Sequence, residues 1–192
     1  MSITCGIDYL KNEMVKAGID SEQSLGTELF LFSSTLIPII NVDLLITDKN
    51  ERILLSWRED PYHTSGWHVP GRCIRFKETF GESIQKCAQS ELCGLDITFY
   101  PDPIKVYEGI RHKKLVGIKD QKERAHFVTL VFSCRISETI SNSFIEDKIL
   151  QSKTIKWFER MPEDMVSGQE FYFRDYDSLM KKIREIRNGK GK

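Results

Sequence analysis

The sequence predicts an α/β fold. Three observations carry that expectation: short runs rich in β-branched and aliphatic residues, one capped helical pattern set among them, and amphipathic helical patterns toward both ends. The 192 residues, 40% of them hydrophobic, suffice for one sizeable core and are short for two. The organisation read from these patterns is a helical segment over 1–35 followed by a single domain over 36–192.

Tyr9 to Ala17 has a helical pattern that Gly18 stops, and Ser21 to Thr35 places Leu25, Leu29, Phe30 and Phe32 on a second amphipathic helix. Ile37 to Thr47 and Arg52 to Trp57 read as strands joined through Asp48-Lys49-Asn50, a hairpin signature. Pro61 to Ser65 is a polar loop, and Trp67-His68-Val69-Pro70-Gly71 is a short strand that Pro70 and Gly71 interrupt. Thr79 with Glu82 three positions on forms a capping box for a helix whose Ile84, Cys87, Ala88 and Leu92 recur at helical spacing until Gly94. Ile97 to Tyr100, Ile104 to Ile110, His126 to Ile136 and Ile155 to Phe158 read as strands, and Asp177 to Ile186 as a closing helix.

Composition excludes several classes of function. The 28 Lys and Arg balance the 28 Asp and Glu, so no field draws in bulk nucleic acid or an anionic membrane, and an acidic substrate must be held locally. Cys5, Cys73, Cys87, Cys93 and Cys134 form an odd, scattered set without a C-x-x-C pair, which argues against a disulfide framework or a structural zinc site and for a reducing cytoplasm. The first residues are broken by Asp8, Lys11, Glu13 and Lys16, unlike a signal peptide, and the longest apolar run, Leu36 to Ile46, contains Asp43 and falls short of the roughly 20 residues that span a bilayer.

The most informative stretch is Gly66 to Leu95, GWHVPGRCIRFKETFGESIQKCAQSELCGL, where a strand and a Gly-containing loop lead into a helix bearing acidic residues. It resembles a Nudix box. With Glu78 as the box's first glutamate, Lys86 stands at the Arg position, Cys87 and Ser90 where two metal-binding glutamates usually stand, and Glu91 at the last glutamate. The resemblance implies a Nudix fold, a mixed sheet flanked by helices in an α/β/α sandwich. A diphosphate carries about two negative charges, and magnesium bridges it to protein through hard oxygen ligands in octahedral geometry. Neither Cys87 nor Ser90 replaces a carboxylate in that role.

Within the superfamily this reduced set is similar to the GDP-mannose mannosyl hydrolases, over roughly Leu25 to Trp157. Ser34 to Pro38 and Ile40 to Leu45 resemble the family's leading strand, Trp57-Arg58 falls where its basic residue near the diphosphate stands, Tyr107 and His112 keep a Tyr–His spacing, and Arg124 to Val128 resemble the start of its long strand. The family's Gln ligand stands six residues before a Trp, as Gln151 does before Trp157. The resemblance thus implies a Mg2+ ion on Gly71, Glu91 and Gln151, a substrate site at Asp43, Arg58, Arg75 and Phe127, and catalysis involving Arg58, Arg72 and His112. It further implies a hydrolase of a nucleoside diphosphate sugar, with water attacking the anomeric carbon, and a homodimer formed with help from the N-terminal helices.

Several positions depart from the family. The general-base position is Ser152, a Tyr that assists catalysis corresponds to Phe127, and an Arg after a Gly-Gly pair is displaced because this chain reads Pro70-Gly71-Arg72-Cys73. Arg72 or Arg75 can take over the displaced cation, and His112, Glu146 or Asp147 the base. Of the other histidines, His68 and His126 lie in strand patterns and read as satisfied core or packing residues rather than bases, and His63 sits in an exposed loop. Asp43, inside an aliphatic strand, must find partners because an unpaired buried carboxylate is costly. The rival readings are a Nudix enzyme that cleaves the phosphoanhydride and a catalytically silent domain that binds a nucleotide sugar.

Overall fold

The computed structural model describes residues 3–20, 25–60, 63–110, 126–137 and 142–189. Two helices lead, α1 (Ile3–Lys16) and α2 (Thr27–Ser33). Gly18, left-handed at φ 64°, follows α1 as the sequence suggests. The second helix is shorter than expected: Gly26, at φ 69°, precedes it, and residues 21–24 lie outside the described residues.

The strands are β1 (Ile39–Ile46), β2 (Ile53–Arg58), β3 (Gly66–His68), β4 (Gly71–Cys73), β5 (Ile97–Phe99), β6 (Lys105–Ile110), β7 (His126–Ile136) and β8 (Ile155–Phe158). The remaining helices are α3 (Phe80–Glu91), α4 (Asn142–Ser152), α5 (Glu170–Arg174) and α6 (Tyr176–Arg187). A five-stranded mixed sheet runs β4-β1-β7, with β5 and β6 successively on the far edge of β7; β1 and β7 are parallel and the other pairs antiparallel. A second, antiparallel sheet runs β3-β2-β8.

The hairpin expected between β1 and β2 does not form a continuous ladder. Asp48 does make the turn, its Oδ1 accepting the Asn50 and Arg52 N–H groups at 2.9 and 2.8 Å. Beyond it the strands share only the bridge Thr47–Ile53 among the described residues, because β2 pairs with β3 and β8 instead. One expected sheet is therefore two.

Alternation along β1 builds the sandwich. Val42, Leu44 and Ile46 face one side and pack with Ile84, Cys87 and Ala88 of α3 and Ile145 and Ile149 of α4. Leu45 faces the other side and packs with Val131 of β7, Tyr172 of α5 and Leu179, Met180 and Ile183 of α6. Fully burying each such aliphatic side chain contributes roughly 1.5–3 kcal/mol. The layers are helices, sheet, helices. Among the described residues no helix is long and apolar enough to cross a membrane.

α3 starts as its sequence dictates. The Glu82 N–H donates to Thr79 Oγ1 at 3.2 Å, and the Thr79 N–H donates to Glu82 Oε2 at 2.8 Å, satisfying two N-terminal amides reciprocally. Two left-handed residues in succession, Cys93 at φ 55° and Gly94 at φ 71°, turn the chain out of the helix. α4 and α5 were not anticipated. α4 leaves as its apolar signal chiefly the pair Ile145 and Ile149, and α5 is five residues long.

Candidate functional site

The site forms where β1, β2, β3, β4 and the C-terminal end of α3 converge. Glu91, the last residue of α3, is reached from three strands. Its Oε1 accepts Arg58 Nη2 at 3.0 Å, and its Oε2 accepts from His68 Nε2 at 2.8 Å and from Ser56 Oγ at 3.3 Å. The Gly71 N–H is a fourth donor. Burial alone would raise the Glu91 pKa; the hydrogen bond and charge of His68, the charge of Arg58 and the Gly71 amide outweigh it and hold the group below its ordinary value.

His68 is almost wholly buried, and its Nδ1 donates to the Ser56 carbonyl at 2.8 Å. A carbonyl only accepts, so Nδ1 is the donor of that bond, and Nε2 is the ring atom on the Glu91 side. His68 is thus the satisfied core histidine that the sequence suggests, and its partners are the Ser56 carbonyl and Glu91. No local signal could have shown these partners, since Ser56, His68 and Glu91 meet only through strand pairing and the position of α3.

Opposite this network Asp43 on β1 faces Gly71 on β4. A Cβ at residue 71 would overlap Asp43 Oδ1 and come within 2.9 Å of Cγ, so the absence of a side chain makes room for the carboxylate. Asp43 Oδ2 accepts Tyr172 Oη at 2.8 Å and Gln169 Nε2 at 3.4 Å. Gln169 also accepts the Val69 N–H through Oε1 at 2.9 Å, tying the α5 end of the chain to the strand before Gly71. Burial pushes the Asp43 carboxyl up to about 7; the Tyr172 bond and the Arg58 charge oppose the rise, and the Glu91 charge adds to it. Gln169 and Tyr172 were not foreseen because they lie 126 and 129 residues away from Asp43.

Asp43, Arg58, His63, Arg72, Phe127 and Gln169 line one cavity above Gly71, with Phe171 completing its aromatic side. His63 is tucked against Asp60 at 3.0 Å and faces this cavity. The Phe127 ring lies over Gly109 of the neighbouring strand, where a Cβ would come within 2.6 Å of ring carbon Cε2.

The loop between β4 and α3 is held by Glu78, whose side chain is 5% exposed. Its Oε2 accepts Arg72 Nη1 at 2.8 Å and the Arg75 N–H at 2.9 Å, and its Oε1 accepts Lys86 Nζ at 2.9 Å. Burial opposes ionisation, but these three donors prevail and lower the carboxyl to about 2. Glu78 and Lys86 therefore brace the loop and orient Arg72.

The other expected site residues distribute unevenly. Arg72, not Arg75, reaches the cavity; the Arg75 guanidinium lies over the Phe30 ring of α2 at 5.0 Å. Gln151 is exposed in the last turn of α4 and, among the described residues, is not one of the groups bonded to Glu91. Ser152 is committed locally, donating to the Ile149 carbonyl at 3.0 Å and accepting the Ile155 N–H at 3.2 Å. Glu146 pairs with Arg52 at 3.1 Å, and Asp147 is exposed on the same helix. His112 lies outside the described residues.

These donors do not fit the expected magnesium ion. Both Glu91 oxygens already carry donors, including a guanidinium, and a divalent ion there would sit beside like charge instead of among hard oxygens. Cys87 is buried and its thiol is pushed up by burial, while Ser90 donates to the Lys86 and Cys87 carbonyls of its own helix. Among the described residues no group of three or more His, Cys, Asp or Glu side chains is placed to hold a metal.

No protein-family model and no curated protein matches the sequence. Among solved structures the chain is similar to a NUDIX-family hydrolase from Clostridium perfringens, at 16% identity over 75% of this chain and 99% of that chain, with a TM-score of 0.49. It is also similar to the Ap4A hydrolase of C. elegans, at 11% identity, 78% and 98% coverage and a TM-score of 0.47. A third similar structure is the MutT protein from Methanosarcina mazei, at 17% identity, 76% and 97% coverage and a TM-score of 0.46.

Proposed function

We propose that this chain is a Nudix-type hydrolase of a nucleoside diphosphate sugar, of which GDP-mannose is one example. The observation that carries the reading is the buried Asp43 carboxyl, poised near neutrality at about 7 in a cavity that also presents Arg58, Arg72 and Phe127. The spacing of Gly71, Glu78 and Glu91 along one loop–helix unit supports it as well.

In this reading Arg58 and Arg72 hold the diphosphate oxygens, and Phe127 offers an apolar face to the base. Asp43 takes the proton from a water molecule as its oxygen bonds to the anomeric carbon. The carbon–oxygen bond to the diphosphate breaks, and the leaving nucleoside diphosphate keeps the electron pair. Its growing charge is met by the two guanidiniums, which stabilise the departing group more than the bound substrate. The exposed apolar side chains of α1, among them Tyr9 and Val15, are assigned to a second copy of the chain, with 1–35 serving association and 36–192 the ligand.

Incubation of the full chain with nucleotide sugars and dinucleotides, followed by chromatography of the products, tests this. Free sugar and nucleoside diphosphate, lost in Asp43→Asn, are expected; nucleoside monophosphate assigns the bond cleavage to phosphorus instead. A second reading, binding without turnover, is favoured by the Ser152 hydroxyl, which is bound into its own helix end at the family's base position. Saturable binding with no product supports that reading.

A further inference from the structure

We infer that the cavity holds its anionic ligand without a divalent cation, Arg58 and His68 standing at Glu91 where a metal ion would otherwise be bound. This rests on the reading of the ligand as a nucleoside diphosphate compound. Three features of the site support it.

The first is saturation. Arg58 Nη2 occupies Glu91 Oε1 at 3.0 Å, His68 Nε2 occupies Oε2 at 2.8 Å, and Ser56 Oγ and the Gly71 N–H complete the shell. A carboxylate offers about four lone-pair sites, and both Glu91 oxygens carry a charged or ring N–H donor within 3.0 Å. The second is charge. The Arg58 guanidinium, which also lies 3.7 Å from Asp60, pairs with Glu91 at 3.0 Å, so an ion brought to this carboxylate meets a fixed cation within a few ångströms.

The third is the geometry of Arg58. Its side chain is 21% exposed, bonded to Glu91 through Nη2, 3.7 Å from Asp60 at Nε, and part of the cavity wall. A planar fork with five N–H donors can keep its bond to Glu91 and still present donors to phosphate, which a lysine could not do with the same rigidity. Glu91 then acts as a positioning residue that aims Arg58, and His68 holds Glu91 in place from the buried side. Arg72, braced by Glu78, supplies a second fixed cation to the same cavity.

The experiment has two independent arms on the full chain. In the first, Mn2+ alone is titrated and followed by electron paramagnetic resonance. Wild type is expected to show no binding that depends on Glu91, and Arg58→Met, which frees Oε1, is expected to bind Mn2+ about tenfold more tightly than wild type. Mn2+ bound by wild type and released in Glu91→Gln overturns the inference. In the second arm GDP and UDP are titrated calorimetrically in EDTA and in Mg2+. Affinities within about threefold of one another are expected in the two buffers, with a loss of about tenfold or more in Arg58→Met under EDTA. Binding that appears only with Mg2+ overturns the inference. If neither nucleotide binds in either buffer, the nucleotide reading fails, and the Mn2+ arm still decides whether Glu91 is a metal ligand.

Discussion

Gly71 and Asp43 face each other across β4 and β1 so closely that the space a side chain at 71 would fill is taken by the Asp43 carboxylate. The same glycine donates its N–H to Glu91. One residue without a side chain thus lies between the two acidic groups of the site. Gly71→Ala is expected to displace Asp43, cost about 1–3 kcal/mol of stability and weaken nucleoside diphosphate binding about tenfold. Denaturant melts and calorimetry check it; a variant that binds and melts like wild type refutes the close packing.

Asp43 makes stability fall with pH over a defined window. Burial raises its carboxyl from 3.8 to about 7, so between those values the folded protein keeps a proton that the unfolded chain releases. The stabilisation is complete below about pH 4, is lost progressively up to about pH 7 and is constant above it, with a span of up to about 4 kcal/mol. Asp43→Asn retains an acceptor for the Tyr172 hydroxyl but does not titrate. The wild-type stability minus that of the variant is expected to decline from pH 4 to 7 in urea melts. A difference that is flat or rises over that range contradicts a neutral buried carboxyl.

Tyr172 sets where that proton leaves. Its hydroxyl donates to Asp43 at 2.8 Å and lowers the carboxyl against burial. Tyr172→Phe is expected to move the acid limb of the turnover profile to higher pH while leaving the product identity unchanged. An unmoved limb places the titrating base elsewhere.

Glu78 works with the opposite sign. Its pKa is lowered to about 2, so its contribution is present above the ordinary value near 4.5 and fades as pH falls toward 2. Glu78→Gln is expected to lose about 1–3 kcal/mol at neutral pH, with the deficit shrinking in acid. Ligand affinity should fall with it, because Arg72 loses its brace.

Gly109 allows Phe127 to lie over its backbone. Gly109→Ala is expected to tilt the ring and lower nucleotide affinity about tenfold for less than about 2 kcal/mol of stability. If Phe127→Ala leaves affinity intact while Gly109→Ala reduces it, the ring is not the base platform.

Local chemistry alone determined much of this protein. The Thr79–Glu82 capping box, the Gly18 and Gly94 stops, the ends of β7 and β8 and the Pro70-Gly71 interruption were all legible, because each depends on hydrogen bonds or backbone sterics within a few residues. The positions of Asp43, Gly71, Glu78 and Glu91 were legible as a pattern, though not their partners. Tertiary structure decided the rest: β2 left β1 for β3 and β8, Arg58 and His68 closed on Glu91, and Gln169 and Tyr172 arrived at Asp43 from the far end of the chain. Such contacts are selected by which buried charges and polar groups can satisfy one another once the sheets pack, a constraint that no window of sequence contains.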